Sequence, residues 1–182
     1  MTTTTTTTVA ATQYTYKKVE VVPGEPDAVF DFYAGSWVGE EIHGKPSIWA
    51  VILAAPDTGT GTWSMEEMPT PAGAPAGRTR KVIHSSGAFL TETLYSSEAA
   101  TRVCKYALLG PLAHGSPQGD FMAATCGLKY DAFDVTFAAE PSGEGTQVTW
   151  EVSANVSDTA KADEMLNMFY SLFTQIFEGT FS

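Results

Sequence analysis

An apolar stripe near the C-terminal end limits the fold of this chain more than any other feature. Met165, Met168, Phe169, Leu172, Phe173, Ile176 and Phe177 recur at i, i+3, i+4, i+7, i+8, i+11 and i+12. That spacing puts them on one side of a helix of about five to six turns. Ser157 and Asp158, both N-cap residue types, stand just before it. Gly179 stands where a C-terminal cap belongs. A side this apolar must be covered, and the only partner long enough is a sheet formed by the preceding chain.

The preceding chain reads as such a sheet. β-like runs fall at 14–22, 61–68, 78–84, 88–95, 102–109, 130–139 and 147–156, and turn residues divide them. Residues 141–145, Pro-Ser-Gly-Glu-Gly, form the turn before the last run. Pro26, flanked by Glu25 and Asp27, marks the start of a short helix with Val29, Phe30 and Tyr33 on its apolar side. Segment 36–57 holds Trp37, Trp49 and the apolar run 48–55. It suits helix and strand equally and stays unassigned. Segment 111–127 is long and irregular. The Thr-rich residues 1–12 read as a disordered tail, which leaves 13–182 as one domain. The order of elements predicts an α+β fold with the last helix laid across one antiparallel sheet.

Composition removes several classes of function. Charged residues make up 17% of the chain, below the usual share of about 25% but within a globular range. Ten Lys and Arg against 21 Asp and Glu leave a net charge of −11. That sign disfavours nucleic acid and anionic membrane as partners. No apolar run reaches the roughly 18 residues of a membrane span. The start of the chain, Met1 followed by Thr2 to Thr8, lacks the basic and apolar regions of a secretory signal, so a cytoplasmic location is expected. Cys104 and Cys126 allow one bridge, but free thiols are the expectation in a reducing compartment. His43, His84 and His114 are scattered without ligand spacing, so no metal site is expected. His114 suits a solvated loop better than a catalytic base. No P-loop, dinucleotide fingerprint or nucleophile elbow is present, and no cofactor is expected.

Several short motifs stand in a suggestive order. Gly77-Arg78-Thr79-Arg80, then Gly87, then Glu92-Thr93-Leu94 resemble a G-x-x-R … G … E-x-L pattern. Tyr106 followed by Gly110-Pro111-Leu112 resembles a Y … GPL segment. Gly145-Thr146-Gln147-Val148-Thr149-Trp150 ahead of a long helix resembles G-T-x-V-x-W. On these residues the chain from about Tyr14 to Phe181 resembles the START/Bet v 1-like superfamily (SRPBCC), nearest its polyketide cyclase/dehydrase-like branch. The resemblance implies a helix-grip fold, a curved antiparallel sheet of about seven strands around the terminal helix, with an apolar cavity between them. It also implies a small hydrophobic ligand, aromatic or polyketide-like. The implied chemistry is a cofactor-independent cyclisation, dehydration or isomerisation in secondary metabolism. The alternative is a non-catalytic carrier or sensor of a hydrophobic molecule or lipid. A monomer or homodimer fits either. Segments 36–76 and 113–129 depart from the family pattern, the second as an insertion in the loop that closes the cavity in relatives.

Glu92 is the foremost candidate catalytic residue. It shares a strand side with Leu90 and Leu94, so its carboxylate would be buried, with a raised pKa, and could move a proton. The plainer reading pairs it with Arg78 or Arg80 for structure alone. Tyr106 shares a side with Cys104 and Leu108, which the resemblance turns into the cavity. Its phenol, with Arg78, would steady negative charge on an enolate oxygen, or it is a core tyrosine. Arg80, Leu90, Leu94, Cys104, Leu108, Tyr130, Trp150, Met165, Phe169 and Phe173 are the expected ligand-binding residues. Arg78 and Arg80 could instead pair with Glu92 or lie at the rim. Trp150 is expected to pack on ligand or helix.

Overall fold

The computed structural model describes residues 12–42, 44–55, 61–72, 74, 76–85, 87, 89–108 and 130–182. Along the chain run β1 (Thr12–Val22), α1 (Pro26–Ala34), β2 (Glu41–Ile42), β3 (Lys45–Pro46), α2 (Ile48–Leu53), β4 (Trp63–Met68), β5 (Arg78–His84), β6 (Phe89–Glu98), β7 (Val103–Leu108), β8 (Tyr130–Ser142), β9 (Gly145–Val156) and α3 (Thr159–Phe181). The tail, His43, His114, Cys126, the GPL segment and the 113–129 insertion lie outside the described residues, except that Thr12 already belongs to β1.

Period-two patterning builds the sheet. In β9, Val148, Trp150, Val152, Ala154 and Val156 are buried on one side while their neighbours face outward. Seven strands form one antiparallel sheet in the order β1-β9-β8-β7-β6-β5-β4. The β2–β3 pair is a separate two-residue ladder. This sheet and α3 make the expected helix-grip fold.

The turn between β8 and β9 is tighter than the sequence implies. Pro141 and Ser142 still pair with Thr146 and Gly145, so only Gly143 and Glu144 form the loop. Gly145 has φ of 141°, and a Cβ there would come within 2.4 Å of the Val22 carbonyl oxygen. Only glycine fits both demands.

Asp158 caps α3 by accepting a hydrogen bond from the Lys161 amide at 3.1 Å. The helix does not stop at Gly179. It continues to Phe181, whose ring packs edge-on against Phe32 with centroids 5.5 Å apart. That contact holds a last turn which glycine alone would release. The buried line of α3 is Ala162, Leu166, Tyr170, Phe173 and Phe177. Leu166 and Tyr170 are missing from the expected stripe, whereas Met168, Phe169 and Leu172 are exposed. The helix is therefore rolled so that part of its apolar surface does not meet the sheet. Among the described residues no helix is long and apolar enough to cross a membrane.

Aromatic rings fill the contact between α3, α1 and the sheet. Trp150 stacks on Tyr170 at 5.1 Å, and Tyr33 stacks on Phe137 at 3.9 Å. Phe177 lies against Phe137 and Phe32. In urea unfolding, Phe177→Ala is expected to cost about 3–5 kcal/mol. Met168→Gln, on the exposed side, is expected to stay within about 0.5 kcal/mol of the native chain. A lowered midpoint at unchanged slope for the first, and no shift for the second, is the expected outcome.

Candidate functional site

Helix α3 packs against β1 and β9. It leaves a cavity of about 330 Å³ over the other half of the sheet. Strands β4 to β8 form its floor, through Trp63 and Met65, Arg80 and Val82, Leu90 and Glu92, Tyr106 and Leu108, and Phe133. Trp49 and Ile52 of α2 wall one side, and Met165, Met168, Phe169, Tyr170 and Leu172 of α3 wall the other. A second hollow of about 440 Å³ lies between α1, the β2–β3 pair and the end of α3. It is larger, but Ala28, Lys45, Pro46 and Thr180 on its wall are all exposed, so it is a surface groove. The first opens to solvent past Met168, Phe169 and Leu172, but its floor is deep: Trp49, Arg80, Val82, Glu92, Tyr106, Phe133 and Tyr170 are each buried.

One ion pair sits in this apolar wall. Arg80 Nε and Nη2 both contact Glu92 Oε2, at 2.7 and 2.6 Å. Nη1 donates to the Trp37 carbonyl at 2.9 Å and to Met65 Sδ at 3.6 Å. The guanidinium carbon lies 3.8 Å from the ring centroids of both Trp37 and Trp49, in the corner made by two indoles whose planes meet at 81°. Arginine suits this place because its plane stacks while its edge donates. The register of β5 on β6 sets Arg80 opposite Glu92.

The other polar groups are tyrosine hydroxyls. Those of Tyr33 and Tyr106 are 3.0 Å apart, and that of Tyr170 interacts with Tyr106. Burial pushes all three phenols well above their ordinary pKa, and nearby polar groups, including Glu92 beside Tyr106 and Tyr170, add to it. They act as neutral hydroxyls. Burial also pushes the Cys104 thiol up to about 12, so it is not a nucleophile at neutral pH.

The structure sorts the expected site residues by their place over or beside the cavity. Glu92, Tyr106, Arg80, Leu90, Leu108, Met165 and Phe169 line it. Arg78 does not. Although two residues from Arg80, it lies beyond the cavity and pairs with Glu67 at 2.8 Å and Glu40 at 3.5 Å. Leu94, Cys104, Trp150 and Phe173 are buried in the solid core instead. Trp150 and Phe173 lie where α3 meets the sheet, and no gap reaches them. The side chain of Tyr130 lies outside the described residues. Trp37, Trp49, Trp63 and Met65 were not anticipated at the site. Segment 36–57 carried the first two, and its unassigned apolar run is α2, capped by Ser47 accepting from the Ala50 amide at 3.3 Å. Among the described residues no three His, Cys, Asp or Glu side chains are grouped to hold a metal ion.

No protein-family model and no curated protein matches the chain. Solved structures do. Ara h 8.0201 aligns with a TM-score of 0.59 at 13% identity, over 93% of this chain and 97% of that one. Protein MLL2253 from Mesorhizobium loti gives 0.56 at 16% identity, over 91% and 95%. Norcoclaurine synthase from Thalictrum flavum, in complex with dopamine and hydroxybenzaldehyde, gives 0.51 at 15% identity, over 87% and 79%. At these identities the likeness is one of fold, and the fold is that of the Bet v 1-like proteins.

Two outcomes follow from the site. Arg80→Met strands the Glu92 charge and should cost about 3–5 kcal/mol, whereas Arg80→Met with Glu92→Leu should recover most of that loss. Equilibrium unfolding of the single and double variants reads this directly. The tyrosines make stability fall in alkali. Their folded pKa values lie above the unfolded value of about 10, so their contribution is complete below that pH and is lost above it. Tyr33→Phe should make unfolding free energy fall less steeply between about pH 10 and 11.

Proposed function

We propose that this protein binds a small hydrophobic molecule, aromatic or polyketide-like, in the cavity beside α3. One observation carries this reading. A hollow of about 330 Å³, open past Met168, Phe169 and Leu172, is walled almost wholly by apolar and aromatic side chains, with the Arg80–Glu92 pair and the tyrosine hydroxyls as its few polar groups. Ligand pockets have this composition and run from roughly 300 to 1,000 Å³. The volume favours a compact ring system over a long-chain lipid. Norcoclaurine synthase, of the same fold, is seen with two small aromatic molecules.

We further propose that the protein is an enzyme that cyclises, dehydrates or isomerises this molecule without a cofactor. Glu92 moves a proton through Oε1, the oxygen that Arg80 does not hold, and Tyr106 donates a hydrogen bond to the oxygen that gains charge. Burial of both groups supports the assignment, since a water-poor site strengthens each contact. The caged Arg80 favours a second reading. A guanidinium held along its edge by hydrogen bonds and packed against two indoles is a structural device, and Glu92 then serves only to neutralise it. In that reading the protein is a carrier or sensor.

Native mass spectrometry of freshly purified protein should show a co-purifying small aromatic molecule. With that molecule as substrate, Glu92→Gln and Tyr106→Phe should each lower turnover about 10²- to 10⁴-fold. Both variants staying within about threefold of the native rate would leave the carrier reading standing.

A further inference from the structure

The ion pair in the cavity wall does not present both of its charges to a guest. Arg80 has five N–H bonds to give, and four contacts occupy its edge: two to Glu92 Oε2, one to the Trp37 carbonyl and one to Met65. The indoles of Trp37 and Trp49, set nearly at right angles, both pack against its central carbon at 3.8 Å. Its side chain is 1% exposed, against 11% for Glu92. Glu92 Oε2 is taken, but Oε1 accepts no hydrogen bond from any described residue. The guest therefore meets a hydrogen-bond acceptor in Glu92 rather than a free guanidinium.

We infer that the cavity selects uncharged ring compounds carrying a hydroxyl or N–H donor, which Glu92 Oε1 accepts, and rejects carboxylates of the same shape. This rests on the binding role proposed above and adds the ligand's polar chemistry to it. A carboxylate would lose its hydration against an apolar wall, find a guanidinium that is only 1% exposed and already paired, and lie beside another carboxylate. A neutral phenol loses little on entry and gains a hydrogen bond to a charged acceptor. The tyrosine hydroxyls are neutral and cannot offset an anion's charge.

Four compounds of nearly one shape test this: 2-naphthol, naphthalene, 2-methoxynaphthalene and 2-naphthoate, titrated calorimetrically at pH 7 into the intact protein. The expected order is 2-naphthol tightest, at least about tenfold over naphthalene and 2-methoxynaphthalene, with 2-naphthoate weakest of all. In the Arg80→Met, Glu92→Leu double variant, 2-naphthol and naphthalene should bind within about twofold of each other. Binding of 2-naphthoate as tight as 2-naphthol, or a naphthol preference that survives the double variant, overturns the inference while leaving the cavity a binding site. Failure of all four to bind overturns the binding role itself.

Discussion

The aromatic contact of α3 with β9 and β8 determines where everything else can go. Trp150, Phe137, Tyr33 and Phe177 hold the helix against that half of the sheet. An antiparallel sheet twists by about 20–25° per strand, so β5, four strands from β9, is turned by roughly 80–100°. A helix cannot follow such a turn. Pressed flat at one end of the sheet, it must part from the other. Met168 and Leu172, apolar yet exposed, mark the line along which it parts. The cavity is the result of this mismatch.

Within that gap the buried pair of Arg80 and Glu92 ties together parts of the chain that are distant in sequence. Trp37 follows α1, Trp49 belongs to α2, Met65 to β4, and all three touch one guanidinium. Burying two charges is unfavourable unless their hydrogen bonds are met. Among the described residues the arginine donates along its edge to three partners, whereas the glutamate accepts through one oxygen alone. The asymmetry gives an otherwise oily hollow a direction.

The parts of this arrangement that repeat were legible in the sequence. β5 was placed at 78–84, as observed, and the cap of α3 fell on Asp158. Alternation and helical spacing are local signals, so one strand or helix suffices to show them. The segment Ile48–Leu53 is apolar on every side, and no period distinguishes its helix from a strand. Arg78 and Arg80 occupy alike positions on one strand, yet one pairs with Glu67 at the surface and the other is buried against two indoles. What differs is the layer lying over each, which comes from elsewhere in the chain. The same holds along α3, where Phe169 meets the cavity and Phe173 meets the core. Spacing identifies an apolar side but not whether protein or empty space lies across from it.

The pairing of β1 with β9 carries a further implication for how the molecule comes into being. Thr12 stands opposite Val156, and Val22 opposite Thr146. During synthesis the earliest of these strands must wait for one made more than a hundred residues later. Such distant closure is entropically slow. Until it occurs, the aromatic underside of the sheet has neither its edge strand nor its covering helix, and exposed surface of that kind favours association.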